Sequence, residues 1–145
     1  MTGSQVAVLE HTRQQTRLWL DRLVDEHHFR DRQQAYSAMR AALHALRDRL
    51  TPEQAAHLGA QLPTLVRGIY YEGWHLAGTP TRERQTDDFA AHIARELPPR
   101  FPRDPLGVAE AVFTVVATEI DAGEVAEIAR ALPAPIRELW PTATA

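Results

Sequence analysis

The sequence predicts an all-α protein of about eight helices, arranged as two four-helix repeats sharing one core. Three observations predict it. Apolar residues recur at helical spacing along almost the whole chain. No run shows the alternation and β-branched enrichment of a strand. One helical unit also occurs twice, 70 residues apart: Leu50 through Arg67 is echoed by Ile120 through Arg137. In that gapless register, positions 50–70 share four identities with 120–140, namely Ala56/Ala126, Leu62/Leu132, Pro63/Pro133 and Arg67/Arg137. The substitutions keep physical type, as in Leu50/Ile120, Leu58/Ile128, Val66/Ile136 and Tyr70/Trp140. The register extends upstream through Trp19/Phe89, Leu23/Ile93, Ala41/Ala111, Leu43/Phe113 and Leu46/Val116. Repeats at 1–75 and 76–145 are therefore expected to bury their apolar faces on each other as one structural domain.

Each element has its own signal. The first helix is expected from about Val8 to Glu26, with Leu9, Thr16, Trp19, Leu20, Leu23 and Val24 on one face. Asp31 can cap a second helix ending near Arg49, with a buried stripe of Tyr36, Met39, Leu43, Leu46 and Leu50. Thr51-Pro52-Glu53-Gln54 combines an N-cap, a proline at the first helical position, an acid and a capping-box partner. Pro63 opens a fourth helix at its first position, carrying Leu62, Val66, Ile69 and Tyr70. Gly73 to Pro80 is the turn-rich break between the copies.

In the second copy Thr86 is expected to cap a helix with Asp87 and Asp88 in its first turn, where they suit the dipole. Phe89, Ile93 and Leu97 form its stripe, and Pro98-Pro99 stops it. Asp104-Pro105 starts the next helix, with Val108, Val112, Phe113, Val116 and Ile120 inward. Asp121, with Glu124 as its capping-box partner, starts the short seventh helix. Pro133 starts an eighth that runs to Trp140-Pro141, leaving Thr142–Ala145 frayed.

Composition narrows the chemistry. There is no cysteine, which removes disulfides, thiolate catalysis and cysteine-ligated metals. No apolar run approaches the ~20 residues of a membrane helix, and the N-terminus lacks a signal pattern, so a cytoplasmic protein is expected. Residues 1–72 hold nine Arg against eight acids, net +1, and residues 73–145 hold seven against eleven, net −4. Neither half has the basic excess of a dedicated nucleic-acid binder. All 16 basic residues are arginine, as coding in a GC-rich genome would give.

From Tyr36 through Leu50, Glu53 through Pro63 and Arg67 through Trp74, and again at Gly123-Glu124 and Leu132-Pro133 to Leu139-Trp140-Pro141, the chain resembles the bacterial domain-of-unknown-function family 2267. The likeness spans roughly residues 10 to 141. It implies a small all-helical bacterial protein without an assigned reaction. His75 stands where the resemblance leads one to expect an Arg-like residue.

No catalytic set is present. Serine occurs only at Ser4 and Ser37, neither in a nucleophile elbow, and no phosphate-binding glycine loop follows Gly68 or Gly73. His44 and His57 flank apolar stripes on consecutive helices, but the second copy has Thr114 and Glu127 in their place, and no metal or cofactor is expected. His27-His28 reads as a helix terminus where imidazolium favours the negative end of the dipole. The junction Tyr70-Tyr71-Glu72-Gly73-Trp74-His75 is the richest cluster. It makes Tyr71, Trp74 and His75 partner-binding candidates, with Trp74 either an exposed anchor or a plug in the seam. The reading is a non-enzymatic interaction module binding a protein partner through the inter-repeat surface. Its alternative is a nucleic-acid-binding accessory protein using Arg40, Arg47 and Arg49, joined by Arg30 and Arg32 if they form a stripe unbroken by Asp31 and Asp48.

Overall fold

The computed structural model describes residues 6–141, and among them there is no strand. The predicted fraying of Thr142–Ala145 lies outside the described residues. Eight α-helices follow in order: α1 (Ala7–His27), α2 (Arg32–Arg49), α3 (Pro52–Gln61), α4 (Thr64–Tyr71), α5 (Thr86–Glu96), α6 (Pro105–Glu119), α7 (Ala122–Ala131) and α8 (Ala134–Arg137). A 3-10 turn at Leu76–Gly78 interrupts the connection between α4 and α5. No described helix is long and apolar enough to cross a membrane.

The local start signals act as predicted at four helices. Asp31 accepts from the Gln34 amide, Asp104 from Gly107, and Asp121 from both Gly123 and Glu124. Thr51 and Gln54 close a full reciprocal capping box. Glu124 makes no return bond to Asp121, whose side chain alone satisfies the first turn of α7. Thr86 is not a cap: the N-cap of α5 is Gln85, without a side-chain bond, and Asp87 and Asp88 complement the dipole instead. Pro63 and Pro133 are N-caps in extended conformation, one residue earlier than predicted. α8 ends at Arg137, because Glu138, Leu139 and Trp140 close a tighter turn through Leu139 N–H to Ile136 O and Trp140 N–H to Arg137 O.

α2 is the central element. It packs against α1, α5 and α6 and also meets α4. Eleven of its eighteen residues are buried, five of them alanines whose small side chains let the surrounding helices approach closely. Trp19 and Leu23 of α1, Phe89 and Ile93 of α5, and Val112, Phe113 and Val116 of α6 join it in one apolar cluster. Trp140 closes that cluster from the C-terminal side, stacked on Phe113 with ring centroids 4.6 Å apart. Leu9 departs from its predicted burial: it is 63% exposed, as are its neighbours Val6 and Val8 in large part. Burial on α1 begins one turn later at Thr12, whose hydroxyl accepts the Leu65 amide of α4.

Arginines finish several helix ends. Arg67 donates from Nε to Gly59 O and from Nη2 to Leu62 O, while Arg137 donates from Nε to Ala129 O and from Nη2 to Leu132 O. A guanidinium also serves the end of α1. Arg103 donates to His27 O and His28 O and lies over the Phe29 ring at 3.9 Å, and burial holds the His27 imidazole below its ordinary pKa.

Candidate functional site

The polar face of α2 does not point to water. His44, Arg47 and Asp48, one turn apart, meet His92 and Glu96 of α5 and Glu83 of the segment before it. His92 Nε2 lies 3.3 Å from Asp48 Oδ2, and its Nδ1 lies 3.1 Å from Glu83 Oε2. Glu83 is steadied by the Thr81 hydroxyl at 2.6 Å, and the Thr81 amide donates to Asp48 O. His44 Nε2 faces the Ile69 carbonyl at 2.7 Å, which fixes a proton on that nitrogen. His44 Nδ1 then faces Glu96 Oε1 at 3.2 Å.

His92 is held more tightly by carboxylates. Both ring nitrogens face carboxylate oxygens, so a neutral ring would set a lone pair against a lone pair on one side. Burial pushes its pKa down, but the hydrogen bond to Asp48 and the charges of Glu83 and Asp48 outweigh this and raise it. Burial pushes the Asp48 carboxyl up, yet His92 and Arg47 together hold it below its ordinary value. Asp48, His92 and Glu96 each bring one possible metal-ligand atom within 4.8 Å of the others. Arg47 also takes Asp48 Oδ1, while His44 and Arg40 share Glu96 Oε1, so both carboxylates have further partners within the chain.

A pH dependence follows with a definite sign. His92 has a raised folded pKa, so its stabilisation is full below the ordinary 6.5 and is lost as pH rises through the folded value. Asp48 has a depressed one, so its contribution is present above 3.8 and is lost as pH falls through the folded value. Thermal melts should show stability declining on the alkaline side as His92 loses its proton. His27 contributes with the opposite sign, so the decisive comparison is with His92→Gln, which should lose the alkaline decline. An identical profile in that variant would refute the clamp.

The arginines proposed for nucleic acid are drawn into this seam. Arg47 is 3% exposed and donates to Tyr70 O and Glu72 O, both at 2.8 Å, so it is not available to a phosphate. Arg40 is half-buried and pairs with Glu72 and Glu96, and Arg49 donates from Nε to Glu83 O. Arg30 and Arg32 pair with Asp31 and Asp21. No continuous arginine stripe forms on α2.

His44 and His57 do not converge: His44 is buried and His57 is exposed. At the junction, Tyr71 abuts Gly59 so closely that an added Cβ there would overlap its hydroxyl. Trp74 is half-buried and stacks on Tyr71 with centroids 5.1 Å apart, His75 is exposed, and Tyr70 donates its hydroxyl to Ala55 O at 2.7 Å. Tyr71 thus braces α3, and Trp74 packs on Tyr71. Asp48, Glu83, His92 and Glu96 escaped sequence reasoning. The one available signal was the spacing of His92 and Glu96, four residues apart on one face of α5.

A second concavity lies between α3 and α7. This groove of about 490 Å³ is lined by Glu53, Gln54 and His57 on one side and by Glu124, Glu127 and Arg130 on the other, over Ile128 and Ala131. Three carboxylates against one guanidinium make it acidic.

Residues 16–139 match the model of a family described as uncharacterized conserved protein, DUF2267. The chain belongs to the DUF2267 family. The span shared with DUF2267 contains every residue of the histidine–carboxylate network and of the acidic groove, and it begins within α1 at Thr16. A search of curated proteins finds no match.

Proposed function

We propose that this DUF2267 protein is a non-enzymatic helical interaction module that receives a basic, partly apolar segment of another protein in the groove between α3 and α7. The acidity of that groove carries the reading. Glu53, Glu124 and Glu127 flank an apolar floor, the pattern that attracts and registers a segment of Lys or Arg with interspersed apolar residues. Tyr71 and Trp74 serve this surface from within by supporting α3, in place of the exposed anchor role considered for Trp74.

The same reading treats the chain as two tandem copies of one unit, with the groove between their equivalent helices. Its support is the spacing of α3 and α7, ten residues each and 70 apart, and the matched capping by Arg67 and Arg137. We place the protein in the bacterial cytoplasm, bacterial from the family resemblance and cytoplasmic from the sequence reading above. The nucleic-acid alternative loses its main support with Arg47 buried.

A photo-crosslinking residue at Gln54, used in the native host lysate, should capture a protein through a basic segment, mapped by mass spectrometry. The same probe at the exposed Leu18 should not. Reversing Glu124 and Glu127 to arginine should weaken the interaction at least about tenfold, or 1.4 kcal/mol. Equal capture from Leu18, or capture indifferent to the reversal, would sink the proposal.

A further inference from the structure

Beside the histidine–carboxylate network lies a groove of opposite character. It runs between the end of α2 and residues 77–84, has a volume of about 730 Å³, and is lined by Arg49, Arg82 and Arg84 with no acidic side chain. Its charge is not a reflection of the whole protein, whose net charge is −3. It arises because the one acid in this stretch is turned away. Glu83, between Arg82 and Arg84 in sequence, spends its carboxylate inward on the Thr81 hydroxyl and on His92. Among the described residues no carboxylate pairs with Arg49, Arg82 or Arg84, whereas the arginines of α2 outside the groove do find partners.

The groove is also anchored. The Thr81 amide donates to Asp48 O and Arg49 Nε donates to Glu83 O at 2.7 Å, so the segment and the helix end hold a fixed spacing. Arg49 is thereby oriented while its terminal nitrogens stay uncommitted to any carboxylate. Burial pushes the Arg49 guanidinium below its ordinary pKa, and the like charge of Arg84 adds to this against the pull of Glu83. Clustered cations whose one nearby carboxylate is turned inward to other partners are an arrangement that an incoming anion stabilises.

We propose that Arg49, Arg82 and Arg84 form a binding site for a phosphate-bearing anion with two or more negative charges. Three guanidinium forks match the oxygens of one or two phosphate groups, each capable of bidentate hydrogen bonding. The volume leaves room for an organic moiety attached to the phosphates. A phosphorylated small molecule and a nucleic-acid backbone both present this chemistry. The site is separate from the acidic groove, so neither proposal depends on the other.

Isothermal titration of the full chain with inorganic pyrophosphate, and in parallel with a short single-stranded oligonucleotide, tests it. Arg82 and Arg84 are exposed, so the double variant R82Q/R84Q should keep the fold, which circular dichroism would verify. The expected result is saturable 1:1 binding of pyrophosphate, weakened at least tenfold in R82Q/R84Q and unaffected by R95Q on α5. Tighter binding of the oligonucleotide than of pyrophosphate, lost in the same variant, identifies a nucleic-acid backbone as the source of the phosphates. The reverse order identifies a small molecule. No saturable binding of either probe, or binding that survives R82Q/R84Q, overturns the proposal.

Discussion

Replacing Arg47 with methionine is expected to destabilise the protein by about 3–5 kcal/mol, the cost of breaking a buried charged network by removing one partner. Methionine roughly keeps the apolar stem but removes every donor. Three acceptors then lose their bonds at once: Tyr70 O and Glu72 O at the end of α4, and Asp48 Oδ1. Asp48 is itself mostly buried and bonded to His92, so the loss spreads into the contact between α2 and α5. Arg40→Met is the matched control. Arg40 is on the same helix and also meets Glu72, but its side chain is 36% exposed and that of Glu72 56%. That change should cost no more than about 1 kcal/mol. Urea denaturation of both variants measures the contrast. Equal, small losses would mean that Arg47 is not the post on which the end of α4 rests.

Cutting the chain between Ala77 and Gly78 is expected to give two fragments that fold poorly alone and recover helicity and a cooperative melt when mixed. The reason lies in how α2 is buried. Its alanine-rich surface is covered by α5 and α6, which belong to the other fragment. Separated, it would uncover much of a helix of which eleven of eighteen residues are buried, and about 70 residues cannot bury that much surface alone. Polar losses add to this. The first fragment loses Arg103 from the end of α1 and His92 from Asp48, and the second loses the partners of His92 and Glu96. Circular dichroism melts of each piece and of the mixture decide the matter. Two sharp, independent transitions would show two self-sufficient domains.

Where the helices lie was largely readable in the chain. The capping signals at Asp31, Thr51, Asp104 and Asp121 worked because a cap needs only residues two or three positions away. The stripes of Trp19 and Leu23, of Phe89 and Ile93, and of Val112, Phe113 and Val116 were likewise visible, since helical periodicity is a property of one segment. Thr86 and Leu9 show the limit of that reasoning. Both are well placed locally, but the helix ends and burial depend on what packs alongside.

The polar network belongs wholly to the tertiary level. His44 meets Glu96 across 52 positions, and Asp48 meets His92 across 44. A charged residue on a helix reads as a solvated face until a second helix is laid over it. The end of α4, laid against α2, turned Arg47 from a phosphate candidate into a buried strut, and His92 of α5 drew Glu83 inward. By itself the sequence determined the eight helices and their apolar faces, because those follow from neighbours within one turn or two. The packing of α2 against α5 decided which polar groups share a proton, because side chains this far apart in the chain are paired only by the angle and distance between the helices that carry them.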